Sequence, residues 1–245
     1  IIFCFDPRPN EFGEWYQDFI NYKQSYGAKI VQRIGDLGTH SKPELTHLIR
    51  QTIKLSNYLI FPSLWAKEWI GFDGTNCSII NNRPMPLFHE NKTDNVNLNG
   101  KIKLVTHHWS TNPKKGFDIY KQLDELLREN QKYEFTYIGR IPQDLKFVNT
   151  KYMAPIDTLE LSKVLPRHDI YITASIEEAG ANHVLEAMAC GLPVIYHNEG
   201  GSIVNYCEKY GEGFSSFSEL IEKVEKVTEA YGNYKKDVLL YEDSI

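Results

Sequence analysis

The sequence lacks a long apolar segment and has few cysteines, and each absence argues against a class of protein. The apolar stretch YLIFPSLWAKEWIGF is interrupted by Pro62, Lys67 and Glu68, so it falls short of the roughly 20 apolar residues that a transmembrane helix needs. The 4 cysteines among 245 residues lie far apart and form no C-x-x-C pair of the zinc-binding kind. We therefore expect no transmembrane segment, no bound metal, reduced thiols and a cytoplasmic location.

An excess of basic residues is also missing. The chain has 27 lysine and arginine residues against 32 aspartate and glutamate residues, a net charge of −5 and an isoelectric point near 5.9. Domains that bind nucleic acid usually carry a basic face, so we expect no nucleic-acid partner. Peripheral contact with a membrane surface is compatible with this composition.

The two ends of the sequence lack the usual marks of a chain terminus. Position 1 is not a methionine, and the run IIFCF has neither the charged region nor the cleavage site of a signal peptide. This run is typical of a strand inside a domain. The last residues, YGNYKKDVLLYEDSI, are typical of the beginning of a segment that crosses back to a first domain. We expect truncation at both ends and an incomplete N-terminal domain.

What the sequence does contain is an alternation of apolar runs and helical patterns. Runs typical of strands alternate with amphipathic segments over the first 88 residues, and the alternation resumes after residue 100. This pattern predicts an α/β fold in which helices flank parallel sheets. The intervening stretch HENKTDNVNLNG is polar and rich in asparagine. We therefore predict two Rossmann-like domains, at 1–90 and 101–245, joined by a linker at 91–100.

One stretch, from Ser175 to Gly201, combines the features expected of a ligand site. The strand HDIYITAS ends there, and Gly180 and Ala181 keep the backbone of the following loop small. Asn182 is a good N-cap for the helix VLEAMAC, which we expect to stop at a glycine before the strand LPVIY. In a parallel sheet this loop leaves the carboxyl end of its strand, where ligands usually bind.

A carboxylate, Glu186, stands near the first turn of this otherwise apolar helix. A buried carboxylate needs a partner, and it can accept two hydrogen bonds from a vicinal diol such as a ribose. The amide groups of the same helix start attract a phosphate. Glu178, on the loop, could bond hydroxyls of a second sugar ring. The alternative is that Glu186 only complements the helix dipole and that Glu178 is a solvated loop residue.

These residues resemble a known family. Glu178 and Glu186, followed by EAMACGLPVI and by Gly200-Gly201, are similar to the donor-site signature of retaining glycosyltransferases of family 4. The resemblance implies a GT-B-like fold in which Glu186 binds the nucleotide ribose and Glu178 contacts the donor sugar. It also implies that backbone amides around Ala181, Asn182 and His183 hold the diphosphate, and we expect Gly180 to be a further donor-binding residue.

A second motif of the family lies at the start of another predicted helix. The pair Lys115-Gly116 matches the K-G pair whose lysine clamps the donor diphosphate in the family. A lysine there can offset charge that develops on a leaving diphosphate. The family's arginine has no equivalent, so either a histidine such as His108 substitutes for it or the diphosphate is held more weakly. Arg140 could face the diphosphate or the surface, and Lys115 could be a solvated loop charge.

The first predicted domain carries weaker matches. Ser63 and Asn82 agree with the family pattern near the end of this domain, but Arg83 stands where the family usually has glycine. Polar residues also follow predicted strands in the segment Asp6–Pro9 and in RIGDLGTH. Both segments are weak candidates for contacts with an acceptor, since polar residues after a strand are ordinary loop chemistry.

The resemblance implies a hexosyltransferase-type enzyme that transfers a sugar from a nucleotide-diphosphate sugar to an acceptor hydroxyl with retention of configuration. The catalytic residues would be Glu178 and Lys115, without a metal or a cofactor. The partners would be the donor and a sugar, lipid-linked or protein acceptor, in polysaccharide or glycoconjugate synthesis. Two alternatives stay open: a fragment that binds a nucleotide-sugar without turnover, and another GT-B enzyme such as a nucleotide-sugar epimerase.

Overall fold

The structure is a computed structural model that describes most of the chain, namely residues 1–4, 12–98 and 100–242. It contains two compact units. The first is formed by Ile1–Asn82 with Glu177–Gly180, and the second by Arg83–Ile176 with Ala181–Ile245. The segment Asp6–Pro9, a weak candidate in the sequence, lies outside the described residues.

The first unit is a parallel sheet of four strands that lie in chain order, β1-β2-β3-β4. Its elements are β1 (Ile2–Cys4), α1 (Phe12–Tyr26), β2 (Ile30–Arg33), α2 (Pro43–Thr52), β3 (Tyr58–Phe61), α3 (Leu64–Ile70) and β4 (Cys77–Ile79). Leu59 and Phe61 of β3 pack with Leu45 and Ile49 of α2 in its core. Ala179 joins the same core, which brings the Glu177–Gly180 loop into this unit.

The second unit is a parallel sheet of six strands in the order β10-β9-β8-β5-β6-β7. Its strands are β5 (Ile102–His108), β6 (Tyr133–Gly139), β7 (Lys151–Met153), β8 (Ile170–Thr173), β9 (Val194–His197) and β10 (Gly211–Phe214). Its helices are α4 (Pro86–Glu90), α5 (Phe117–Leu127), α6 (Thr158–Val164), α7 (Asn182–Ala189), α8 (Ser202–Cys207), α9 (Phe217–Glu229) and α10 (Tyr231–Leu239). Counted from β5, this is the doubly wound order 3-2-1-4-5-6, whose switch point lies between β5 and β8.

Helices cover both faces of this second sheet, which is why its central strands are continuous apolar runs. Side chains alternate between the faces along each strand. On β8, Ile170 and Ile172 pack in the cluster that includes residues of α5 and α9, whereas Tyr171 packs in the cluster that includes α7. The same alternation on β5 sends the neighbouring residues His107 and His108 to opposite faces.

The predicted α/β class with parallel sheets is confirmed. The helices α4, α8 and α10 and the strand β10 were not expected from the sequence. The predicted α7 cap is wrong by one residue: the helix begins at Asn182, and Ala181 is the N-cap without a side-chain cap bond. Ala181 has an extended backbone, and its amide donates to the Ser202 hydroxyl at the start of α8 (3.2 Å).

The segment predicted to be a linker, 91–100, is attached to the second unit in its described part. The amide of Thr93 donates to the carbonyl of Cys190 (3.1 Å), and Lys92 Nζ donates to the carbonyls of Leu239 and Tyr241. The short helix α4 just before it contacts α6 and α7. Residues 83–98 therefore group with the second unit.

The helices are short or amphipathic rather than long and apolar. Over residues 1–4, 12–98 and 100–242, none of them combines the length and the apolar character that crossing a bilayer requires.

One glycine lies where the loop after β5 meets the end of β8. Gly116 has φ +78, and a Cβ at this position would lie 2.4 Å from the Cβ of Ala174 and 2.5 Å from its carbonyl oxygen. Both the backbone conformation and the space therefore require glycine. The glycine therefore allows the loops that follow β5 and β8 to pack directly against each other.

Replacing Gly116 by alanine should lower the free energy of unfolding by about 2 to 4 kcal/mol, because the strained backbone and the collision with Ala174 both contribute. Gly100→Ala is the matched control. Gly100 has φ +75, and a Cβ there would meet nothing within 4 Å, so only the backbone cost of about 1 kcal/mol applies. Denaturant unfolding measures both variants, and equal losses would contradict the importance of the close approach.

Candidate functional site

The candidate site of the second unit lies at the switch point between β5 and β8. The loop after β5 leads to α5, and the loop after β8 leads toward α7. The two loops touch, because the Ile176 amide donates to the Lys114 carbonyl (2.9 Å) and Gly116 lies against Ala174. Ligands of doubly wound sheets bind outside the carboxyl ends of the strands at this point.

The main polar contact of this site joins His107, near the carboxyl end of β5, to Glu186 of α7. The distance between His107 Nε2 and Glu186 Oε2 is 2.8 Å. The two side chains are 11% and 21% exposed. A carboxylate only accepts hydrogen bonds, so the histidine Nε2–H is the donor. The partner that a half-buried carboxylate in an apolar helix needs is therefore His107.

Tyr171 of β8 forms hydrogen bonds with the same histidine. Its hydroxyl lies 3.1 Å from His107 Nδ1 and accepts a hydrogen bond of 3.1 Å from the His107 backbone amide. Burial raises the pKa of Tyr171 well above its ordinary value, so the phenol keeps its proton and can donate it to Nδ1. Tyr171, His107 and Glu186 thus form a hydrogen-bonded chain.

His108, a predicted donor-binding residue, points to the other face of the sheet. It is 3% exposed, and its Nε2 lies 2.7 Å from the hydroxyl of Tyr120 in α5. That hydroxyl also accepts a hydrogen bond from the Ala174 amide (2.9 Å). In this structure His108 connects β5, β8 and α5 within the packed layer, and its contact with a donor stays a prediction.

The start of α7 carries the residues predicted to bind the diphosphate. Asn182 is exposed, and His183 is half-buried with its Nε2 3.1 Å from Thr173 Oγ1. Amide groups in the first turn of a helix point along the axis toward an anion placed there. The Ala181 amide donates to the Ser202 hydroxyl, as described above, and the role of the Asn182 and His183 amides in binding a diphosphate stays a prediction.

Two predicted cationic residues lie on loops at the same edge of the sheet. Lys115 ends a 3-10 turn, Pro113–Lys115, which is capped by the Asn112 side chain and precedes α5. Arg140 follows β6 and is exposed, with its guanidinium carbon 4.7 Å from the centroid of the Trp109 ring. The structure thus places both cations after strand ends of the second unit, and it stacks Arg140 on an aromatic side chain.

Glu178 and Gly180 belong to the first unit, with the rest of the Glu177–Gly180 loop. Three side chains donate to the carbonyls of this loop: Thr39 to Glu177 (2.8 Å), Ser63 to Ala179 (2.8 Å) and Asn82 to Gly180 (3.0 Å). Thr39, Ser63 and Asn82 follow β2, β3 and β4 in turn. We call these three residues the carbonyl clamp.

The backbone inside the clamp is strained. Glu177 has φ +53, which is uncommon for a residue with a side chain. A Cβ on Gly180 would lie 2.9 Å from both Asn82 Nδ2 and the Cβ of Pro62, so the loop also lies very close to the segments that follow β3 and β4. The clamp therefore fixes the backbone on both sides of Glu178, whose Oε1 lies 4.0 Å from His40 Nε2.

The RIGDLGTH segment supports this region. Arg33 donates to the Asn82 Oδ1, which orients the amide so that Nδ2 faces the Gly180 carbonyl. Burial would raise the pKa of Asp36, but hydrogen bonds from Lys42 and from the Gly38 amide hold it below its ordinary value. Arg33 and Asp36 thus have clear structural roles in this unit.

The side chains that could ligate a metal are dispersed. In the part of the chain that the structure describes, no three His, Cys, Asp or Glu side chains are grouped so that they could hold a metal ion.

The chain is similar to a known protein family and to several solved structures. Residues 103–230 match the family of glycosyl transferases group 1. No curated protein sequence matches the chain. Among solved structures, TarM superposes with a TM-score of 0.73 at 15% identity, covering 99% of this chain and 51% of TarM. The chain thus spans about half the length of TarM.

Two further structures are similar. HepE from Anabaena, solved in complex with UDP, has a TM-score of 0.67 at 14% identity and covers 90% of this chain and 69% of HepE. WaaG, a glycosyltransferase involved in lipopolysaccharide biosynthesis, has a TM-score of 0.64 at 15% identity and covers 96% of this chain and 79% of WaaG. The GT-B-like fold predicted from the sequence is confirmed.

The sequence motifs do not mark the residues that support Glu178 and Glu186. His107, Tyr171 and Thr39 belong to none of the motifs that the sequence matches. One signal points to His107: it is the next-to-last residue of a buried strand at the switch point, on the face of the sheet that alternation assigns to α7.

The carbonyl clamp can be tested with Thr39→Val, which keeps the shape of the side chain and removes the donor to the Glu177 carbonyl. We expect a loss of about 1 kcal/mol of stability and faster amide hydrogen exchange in the loop around Glu178. Thr46→Val is the control, because Thr46 donates to the Leu37 carbonyl (2.6 Å) in the same unit. Exchange in the loop that rises equally in both variants would contradict a specific clamp.

Proposed function

The chain belongs to the family of glycosyl transferases group 1, and we propose that it transfers a sugar from a nucleotide-diphosphate sugar to an acceptor hydroxyl with retention of configuration. The proposal includes the closer assignment to retaining family 4 and a hexosyl donor. It rests on one observation above the others: Glu186 stands at the switch point of a doubly wound sheet, held by His107 through a 2.8 Å hydrogen bond.

The chemistry of Glu186 suits a ribose. One carboxylate oxygen is held by His107, and the side chain remains 21% exposed. Both vicinal hydroxyls of a ribose can donate to such a carboxylate. A solvated glutamate that only complements a helix dipole would need no buried histidine partner, so the geometry favours a binding role.

The diphosphate would lie between the start of α7 and the loop after β5. Amides of Asn182 and His183 supply partial positive charge, and Lys115 supplies a full charge from the adjoining loop. In the transition state the donor diphosphate gains negative charge as the glycosidic bond breaks, and a fixed cation lowers the energy of that state. We propose that these groups carry out this role without a metal.

The assignments of Glu178, the acceptor and the pathway rest on the family resemblance. Glu178 is proposed to contact the donor sugar, and its loop has the rigid backbone that such a contact requires. The acceptor is proposed to be a sugar, a lipid-linked sugar or a protein, in polysaccharide or glycoconjugate synthesis in the cytoplasm. Because UDP is bound in the similar HepE structure, uracil is the base to test first.

Donor turnover tests the function directly. A thermal-shift screen of UDP, GDP and ADP with their common sugar conjugates identifies the donor, since a ligand of the folded state raises Tm. Proton NMR of the purified chain with that donor should then show slow release of free sugar, first as the anomer present in the donor. Stabilisation without release would indicate a nucleotide-sugar-binding protein, and first release of the opposite anomer would contradict retention.

Replacing Lys115 by alanine should weaken binding of the nucleoside diphosphate roughly 10- to 100-fold and leave binding of the nucleoside almost unchanged, because only the former carries phosphate. Lys121→Ala, on an exposed position of α5, is the matched control and should change neither affinity. Isothermal calorimetry measures both ligands. Equal losses for the diphosphate and the nucleoside would indicate that Lys115 has a structural role only.

A further inference from the structure

We propose that His107 is a positioning residue for Glu186: it holds one carboxylate oxygen and leaves the other to accept the ribose hydroxyls, and Tyr171 holds His107 in the tautomer that does so. This inference rests on the proposed function, in which Glu186 binds the ribose. It assigns a role to a histidine and a tyrosine that neither the sequence motifs nor the family resemblance marks.

One oxygen of the Glu186 carboxylate is occupied by His107, and the other is available to a ligand. His107 Nε2 lies 2.8 Å from Glu186 Oε2, and the His107 side chain is 11% exposed. Within the described residues, the other oxygen, Oε1, accepts no hydrogen bond. A carboxylate has room for about four hydrogen bonds, so a ribose can bind Oε1 while His107 keeps Oε2.

The contacts of Tyr171 decide which ring nitrogen of His107 carries the hydrogen. A neutral imidazole carries a hydrogen on one nitrogen and accepts on the other. The Tyr171 hydroxyl lies 3.1 Å from Nδ1 and 3.3 Å from the His107 carbonyl, and the backbone amide of His107 donates to the same hydroxyl (3.1 Å). Because its oxygen already accepts from that amide, its proton is directed to an acceptor, of which Nδ1 is the nearer. An accepting Nδ1 places the ring hydrogen on Nε2, facing Glu186.

The bond to His107 orients the Glu186 carboxylate before a ligand binds. A glutamate side chain has three rotatable bonds, and fixing it at the moment of ligand binding costs conformational entropy. The bond to His107 fixes Glu186 before the ligand arrives, so the ribose meets a carboxylate that already has its binding orientation. Removing the histidine should therefore weaken ribose recognition specifically, while contacts to the base and to the phosphates stay intact.

The test compares UDP with 2′,3′-dideoxy-UDP by calorimetry, or the corresponding GDP or ADP pair if the thermal screen ranks that base first. The wild-type chain should prefer the ribose form by about tenfold or more. His107→Leu should reduce this preference to less than about threefold. His107→Gln should keep most of it, because the amide nitrogen can donate to Glu186 from a similar position. Tyr171→Phe, which removes only the hydroxyl, should give an intermediate preference.

A double-mutant cycle and a matched control separate positioning from damage to the fold. Adding His107→Leu to Glu186→Ala should cause no further loss of ribose preference, since the histidine acts through the glutamate. His168→Gln is the control: His168 is partly buried, lies just before the amino end of β8 and is hydrogen-bonded to Thr136 of β6 (3.0 Å), away from the carboxyl edge of the sheet. It should leave the preference unchanged.

The outcomes distinguish this inference from the function on which it rests. If the wild type binds the ribose and dideoxy forms equally, the ribose role of Glu186 is wrong, and the role of His107 is wrong with it. If the wild type prefers ribose and a folded His107→Leu variant shows the same preference, only the positioning role is wrong. Where the leucine variant fails to fold, an undiminished ribose preference in Tyr171→Phe leads to the same conclusion.

Discussion

A carboxylate on an apolar helix must have a hydrogen-bond donor, and this need organises the second unit. Glu186 lies on α7, among side chains that are almost all buried, and its donor comes from β5, 79 residues earlier. That donor is available only because the strand order reverses between β5 and β8, which makes these two strands neighbours. The switch point therefore creates the site as well as the opening in which a ligand can bind.

The same reversal accounts for what the sequence predicts well and what it does not. Long apolar runs such as IKLVTHH and YEFTYIG are buried on both faces, so they are recognised without knowledge of their neighbours. The strand Gly211–Phe214 escaped prediction because three of its four residues are only partly buried and two are glycines. The α7 cap was assigned to Asn182 by residue preference, whereas the backbone turns into the helix one residue earlier.

For the site, local patterns identify single residues but not their partners. Glu186 is conspicuous because a charge interrupts an apolar helix. His107 and Tyr171 are 64 residues apart and look like ordinary residues of buried strands, and their hydrogen bond depends on the strand order. The carbonyl clamp has the same property: Thr39 donates to a carbonyl 138 residues later. Partners at such separations become visible only once the sheets are assembled.

The two glutamates of the family motif are controlled by different means. Glu186 is fixed through its side chain, by a histidine whose own orientation is set by a buried phenol. Glu178 is fixed through its backbone: the left-handed conformation of Glu177 costs about 1 to 3 kcal/mol, and three clamp hydrogen bonds of about 1 kcal/mol each are of the size needed to offset it. The contact with His107 sets the direction of the Glu186 carboxylate, whereas the carbonyl clamp sets the backbone that carries Glu178. Under the proposed function, the first arrangement suits a constant partner such as ribose, and the second holds the loop whose glutamate is proposed to contact the donor sugar.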